Sequence, residues 1–352
     1  MEQLSTHQNR RRRTTMGAAG ARARRGRRLA SLVLALVVAG GFGACGKTSA
    51  DKGGSEGSKA LTVGFVELHA DTFFGNIDKG MKQALGADGK VVAVNYDSDA
   101  GRESQAYEDL ISRQVDAIVT SPLDPKGSVA GIRRAEEAGI PVICVNTCLD
   151  EADQAKYTKG FVLSDNAALG AETGRQAAKY IKDKLGGKAT IAVLHCDIFD
   201  VCKLRKRNFF AQLKRAGVSY TIAAQQQAYE PDKAVPAAEG ILTAHPDVNV
   251  FWAGNDGAIV GEVKAIQAAA GSKAKVFGTD MSSAVGEALL SPADILQTTT
   301  GQDGIANGKK AIEVVRAALA DKPVKPATQL VSVVGFNRSQ PATVRQWLAE
   351  NK

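Results

Sequence analysis

The chain has 352 residues, 5% aromatic content and a formal net charge of +8, yet that charge is local. Nine arginines within residues 1–44, against the single acid Glu2, account for all of it and leave 36 basic and 36 acidic residues in the remainder. A balanced remainder carries no electrostatic footprint for nucleic acid, and the roughly 290 residues beyond position 60 suffice for two lobes of ordinary domain size.

Residues 1–44 pair those arginines with an apolar run from Leu29 to Val38 and a small-residue exit, "AGGFGAC". A basic region, a short apolar core and small residues read as an export signal. The run is too short for a membrane span, which takes about 20 apolar residues. "FGAC" resembles a bacterial lipoprotein signal and implies Cys45 as the lipid acceptor, anchoring the exported chain at the outer face of the cytoplasmic membrane. An ordinary signal with an incidental cysteine is the alternative. Residues 45–60, "CGKTSADKGGSEGSKA", hold Gly, Ser and charge without an apolar pattern and read as a flexible tether.

From there the chain alternates. β-rich runs begin at Leu61 ("LTVGFV"), Val91 ("VVAVNY"), Ala117 ("AIVT") and Val142 ("VICV"), separated by helix-patterned stretches such as Phe74, Ile77, Met81 and Leu85. A second set begins at Thr190 ("TIAVLH"), Tyr220 ("YTIAA"), Val248 ("VNVFWA") and Lys275 ("KVFGT"). Successive strand starts are offset by 129, 129, 131 and 133 residues between the sets. Two βα arrays of one rhythm predict an α/β protein with two doubly wound, parallel-sheet lobes. In such sheets ligands sit beyond the carboxyl ends of the strands. There the sequence places Glu67 and His69, Tyr96 and Asp97, Ser121, Asn146, His195 and Cys196, Asn255 and Asp256, and Asp280. Asp256 fits a ligand contact or a cap for a helix starting at Gly257 equally well. Phe73 and Phe74 are neighbours, about 100° apart on a helix, so one face cannot take both. Phe74 follows the apolar stripe, which leaves Phe73 for another partner.

These motifs resemble, in order and at compatible spacing, the type I periplasmic binding proteins of the ribose and galactose group, which deliver sugars to ABC importers. "ADTFF" (70–74), "VICVNT" (142–147), "VLSDN" (162–166), "LRKRNFF" (204–210), "TAHPDVNVFWAGND" (243–256) and "VFGTD" (276–280) carry the likeness, which extends from Leu61 to about Val334. It implies a three-crossing hinge, with one lobe at 61–164 plus 301–330 and the other at 165–300 plus 331–352. It also implies a ligand set of Phe73 and Phe74 in the Asp71 loop, Asn146, Arg207, Tyr229, Asn255 and Asp280, with Ser121 and Thr300 as weaker matches. The implied partners are a sugar or polyol, an ABC permease and its ATPase, and the membrane through the lipid anchor alone, with no cofactor and no metal. Asn146–Thr147 stands where many sugar binders carry Asp-Arg, so one charged clamp is absent.

Four cysteines follow Cys45. Outside the membrane disulfides are favoured, and local pairs within a lobe preserve hinge motion. Cys196 with Cys202 is the favoured pair. Cys144 either pairs with Cys148 or is a buried strand residue. No nucleophile elbow or phosphate loop stands out, so a non-enzymatic receptor is expected. A sugar-sensing repressor core would need a helix-turn-helix head where this chain has an export signal. A lipid-anchored sensor presenting its ligand to a membrane kinase needs the same cleft and is the alternative reading.

Overall fold

The computed structural model describes residues 60–351. The export signal, Cys45 and the tether up to residue 59 lie outside the described residues. The first array runs β1 (Leu61–Glu67), α1 (Thr72–Leu85), β2 (Gly89–Asn95), α2 (Ala100–Ser112), β3 (Ala117–Thr120), α3 (Val129–Glu137), β4 (Val142–Val145), α4 (Glu151–Tyr157) and β5 (Gly160–Ser164). The second runs α5 (Asn166–Lys184), β6 (Lys188–His195), α6 (Asp200–Arg215), β7 (Ser219–Gln227), α7 (Pro231–Ala244), β8 (Val250–Ala253), α8 (Asp256–Ala268), β9 (Lys275–Thr279), α9 (Ser283–Leu290) and β10 (Leu296–Gln302). The chain closes with α10 (Gly304–Leu319), β11 (Thr328–Val331), β12 (Val333–Asn337) and α11 (Pro341–Glu350).

The strands form two six-stranded sheets, in the orders β11-β5-β4-β3-β1-β2 and β12-β10-β9-β8-β6-β7. The strands map one to one between the sheets, so the rhythm in the sequence is a repeated topology. Central strands such as "AIVT" and "VICV" are buried along their whole length, as parallel strands covered on both faces must be. Each sheet has an apolar core on either face. In α1 the stripe Phe74, Ile77, Met81 and Leu85 is buried in one of them, each side chain contributing about 1.5–3 kcal/mol.

The chain passes between sheets at Asp165, Asp303 and Ser332, giving the three crossings. Two are set by helix caps: the Asp165 carboxylate accepts from Ala168 N and the Asp303 carboxylate from Ala306 N, each at 2.8 Å, satisfying donors that a helix start leaves free. The third explains the one antiparallel pair among the described residues. β11 lies parallel to β5 and ends at the hinge, so its continuation enters the second sheet from the hinge side and runs antiparallel to β10.

Candidate functional site

The carboxyl ends of both sheets face one cleft of about 380 Å³, near the low end of the ~300–1,000 Å³ typical of small-molecule sites. From the first lobe, the Asp71 carboxylate caps α1 by accepting from Phe74 N at 2.9 Å. That cap fixes where the two rings go. Phe74 turns into the core, while half-buried Phe73 lines the cleft, their centroids 5.4 Å apart and near edge-on. Asn146, directly after β4, sits in the left-handed region at φ 63°, which Asn tolerates better than most residues. Its side chain starts a donor chain: Asn146 Nδ2 to Ser121 Oγ at 3.5 Å, Ser121 to Thr147 Oγ1 at 2.9 Å, and Thr147 to the Pro122 carbonyl at 2.7 Å. The Thr147 hydroxyl has one proton and gives it to Pro122, so Ser121 donates to Thr147 and can accept from Asn146. That leaves the Asn146 carbonyl oxygen for a ligand. Ser121 is fully buried behind this loop and does not line the cleft.

The second lobe contributes charge. Arg205, 4% exposed, donates from Nε to Asn166 Oδ1 at 2.7 Å and from Nη1 to Asp280 Oδ2 at 2.6 Å and the Gly254 carbonyl at 3.2 Å. Asp280 follows β9 at φ 76° and accepts from Gln302 Nε2 at 3.0 Å through its other oxygen. Asn255 caps α8 by accepting from Ala258 N at 3.1 Å and donates to the Tyr229 carbonyl at 3.0 Å. One donor and one lone pair of its amide stay unused within these contacts. Burial, reinforced by the nearby Asp280 charge, raises the Asp256 carboxyl above the usual range, against hydrogen bonds from the Gly257 backbone and Ser282. Tyr229 lines the same cleft.

Phe73, Phe74, Asp71, Asn146, Tyr229, Asn255 and Asp280 are therefore brought together, and besides Ser121 three expectations need correction. Arg207 projects from the exposed side of α6, outside the cleft. Cys202, Arg205 and Phe209 share the buried face at helical spacing, and Arg207, two residues from either Arg205 or Phe209, points away from it. The guanidinium that reaches the cleft is that of Arg205, and its spacing of four from Phe209 is the sequence signal that finds it. Thr300 is fully buried in β10, bonded to Thr173 Oγ1 at 2.9 Å, and does not reach the cleft. The α8 cap is Asn255, and the helix begins at Asp256. Sequence reasoning missed Asn166, Phe199, Gln302 and Trp347. Asn166 lay within "VLSDN", but its role becomes visible only through the partner it orients.

Both disulfides are local, Cys144–Cys148 and Cys196–Cys202. The second is the favoured pair, and the first resolves the open choice at Cys144. Each brackets cleft-lining residues, Asn146 and Thr147 in one lobe and Phe199 and Val201 in the other. Among the described residues no group of three or more His, Cys, Asp or Glu is placed to hold a metal ion, and no helix is long and apolar enough to cross a membrane.

Two doubly wound lobes, a three-strand hinge and one ligand-sized cleft between them define a hinged solute receptor of the type I periplasmic binding fold. The chain belongs to the periplasmic binding protein family, whose domain model matches residues 65–323. It is 33% identical over 236 residues to the ABC transporter periplasmic-binding protein YphF of Escherichia coli K12, spanning 66% of this chain and 72% of that protein. It is 29% identical over 274 residues to the ribose import binding protein RbsB of Bacillus subtilis 168, spanning 77% and 86%. Among solved structures, an ABC transporter solute-binding protein of Actinobacillus succinogenes 130z with bound D-allose superposes with a TM-score of 0.70 at 24% identity, covering 80% of this chain and 99% of that one.

Proposed function

We propose that this chain is the solute-binding component of an ABC importer, capturing a sugar or sugar-like polyol between its lobes and presenting it to a membrane permease and its ATPase. The observation that carries this reading is the composition of the cleft. An aromatic surface from Phe73 and Tyr229 stands with a rim of Asn146, Asn255, Arg205 and Asp280. Sugar rings have an apolar C–H face and hydroxylated edges, which such a wall and rim match. Arg205 and Asp280 neutralise one another, which favours an uncharged ligand over a carboxylate or phosphate. The relatives named for ribose import and the solved D-allose complex support the same class. Closure about the crossings buries the ligand and creates the shape a permease recognises. No catalytic step is assigned to the cleft.

A thermal-shift series of the exported chain with D-ribose, D-allose, myo-inositol, amino acids and nucleosides tests this reading. Stabilisation by at least one sugar or polyol is expected, and stabilisation by amino acids alone would refute it. We further assign Cys45 as the lipid acceptor that holds the exported protein at the membrane. Cys45→Ala is expected to move the protein from the membrane fraction to the soluble one, and unchanged membrane retention would refute the anchor.

A further inference from the structure

Phe199 is poorly placed for a core residue and well placed for a ligand. It is 47% exposed, yet it lines the cleft, its ring near edge-on to Tyr229 at 5.8 Å. The loop that carries it is held in place. Cys196 and Cys202, both buried, close a disulfide across it. The bridge packs against the Gly254 backbone, where an added Cβ would lie 3.1 Å from Cys196 Sγ. Helix α6 starts here without a side-chain cap, whereas α1 and α8, which also start at the cleft, are capped by Asp71 and Asn255. The disulfide ties down the uncapped first turn through Cys202, and so keeps Phe199 and Val201 at the rim.

Across the cleft the first lobe offers the uncharged Asn146 and Thr147 beside the Asp71 carboxylate. The polar rim therefore has groups for a few hydroxyls, while Phe199 and Val201, neighbours at the start of α6 on the second lobe's side, carry no donor and no strong acceptor. A hydroxyl pressed against that surface loses its water and gains no partner. A methyl group there gains burial.

We propose that Phe199 and Val201 form a subsite for an apolar substituent, so that the cleft selects sugars bearing a methyl in place of hydroxymethyl over their fully hydroxylated counterparts. The inference rests on the sugar-binding reading and narrows it. It is tested by titration calorimetry with two matched pairs, L-fucose with L-galactose and L-rhamnose with L-mannose. In at least one pair the deoxy member is expected to bind about tenfold tighter or more, the scale on which one small group is discriminated in an apolar pocket. Phe199→Ala is expected to shrink that ratio to below about threefold. Cys196→Ser with Cys202→Ser, which frees the loop, is expected to shrink it as well. Equal affinities within both pairs, a preference for the hydroxylated members, or a ratio that survives Phe199→Ala would each overturn the subsite while leaving the sugar reading intact. If the protein melts normally but binds none of these four sugars nor any sugar or polyol of the thermal-shift series, the sugar reading fails and the subsite falls with it.

Discussion

In the first lobe the groups offered to the cleft include a ring, two uncharged polar side chains and one carboxylate, Phe73, Asn146, Thr147 and Asp71, whereas in the second they include the Arg205–Asp280 ion pair at 2.6 Å and the half-buried Asp256 carboxyl. The backbones beneath them are alike. Asn146 and Asp280 each follow the fourth strand of their array, each with positive φ, 63° and 76°. Similar backbone positions thus carry an amide in one lobe and a paired carboxylate in the other. The fold repeats the geometry of the strand ends and leaves the chemistry there free to differ. The difference has an energetic consequence for closure. Charged groups are costly to desolvate unless already paired, and the second lobe's Arg205 is paired and buried before any ligand arrives. The first lobe brings the uncharged Asn146 and Thr147, whose desolvation on closing costs less, beside one carboxylate, Asp71, already engaged in capping α1.

The largest expected effect breaks the second lobe's side of that contrast. Arg205→Ala leaves Asp280, Asn166 and the Gly254 carbonyl without their shared donor, and about 3–5 kcal/mol of unfolding free energy should be lost by urea titration, together with the stabilisation by sugars.

A contrast between buried acids comes next. Glu103 in the first lobe is met by Ser128 Oγ at 2.9 Å and by Leu123 N and Tyr107 OH at 3.3 Å. Both carboxyl oxygens of Glu262 in the second lobe lack a hydrogen-bonding partner, and burial pushes its acid well above the usual range, outweighing a backbone contact with Leu194. The folded chain therefore holds this proton more tightly than the unfolded chain, so stability falls as pH rises from the unfolded carboxyl value toward the raised folded one. Glu262→Gln removes the penalty. It should raise stability at pH 7, read by urea titration, with the gain vanishing below about pH 4.5, the ordinary Glu value; a gain that is independent of pH would refute this assignment.

Phe73→Ala tests the first lobe's wall. It should weaken binding of the best sugar in the thermal-shift series by about 5–150-fold, or 1–3 kcal/mol, in calorimetry, while Phe74 keeps the helix anchored. Asn146 separates backbone from side chain. Asn146→Gly keeps the left-handed turn and should melt like the parent but bind more weakly, whereas Asn146→Ala should also lose about 1 kcal/mol of stability to strain. The smallest effect is expected at Arg207→Ala, within about 0.5 kcal/mol for both folding and binding, and a large loss of binding there would return the ligand contact to Arg207.

Much of this architecture was legible in the sequence because parallel strands covered on both faces must be apolar throughout, and runs such as "AIVT", "VICV" and "VNVFWA" announce that. β10, "LQTTTGQ", did not. Its threonines are buried by bonding to backbone and to one another, with Thr298 Oγ1 to the Phe336 carbonyl at 2.7 Å, Thr299 Oγ1 to the Asp280 carbonyl at 2.6 Å, and Thr300 to Thr173. A buried strand of satisfied hydroxyls reads as polar until its partners are known. At the site, the residues that strand ends pointed to, Asn146, Asn255 and Asp280, do line the cleft. The arginine was misplaced because "KLRKR" offers two arginines within one turn, and only the buried face shared with Phe209 decides between them. Trp347 escaped because it reaches the cleft from the C-terminal helix, far along the chain from the strand ends.

The return of residues 304–331 to the first lobe means that synthesis order and assembly order differ. Helix α10 fits against α1 so closely that an added Cβ at Gly308 would lie 2.1 Å from the Ile77 carbonyl, and one at Gly80 would lie 2.2 Å from the Ile305 carbonyl. Ala311, Ile312, Val314 and Val315 fill the first lobe's core, and β11 covers the edge of β5. The half of the molecule made first therefore stays open, with one sheet edge and one core face bare, until nearly the whole chain has been made. The second lobe lacks only β12 and α11 at that moment, so the two lobes finish together, and neither is a separable domain in the order of the gene.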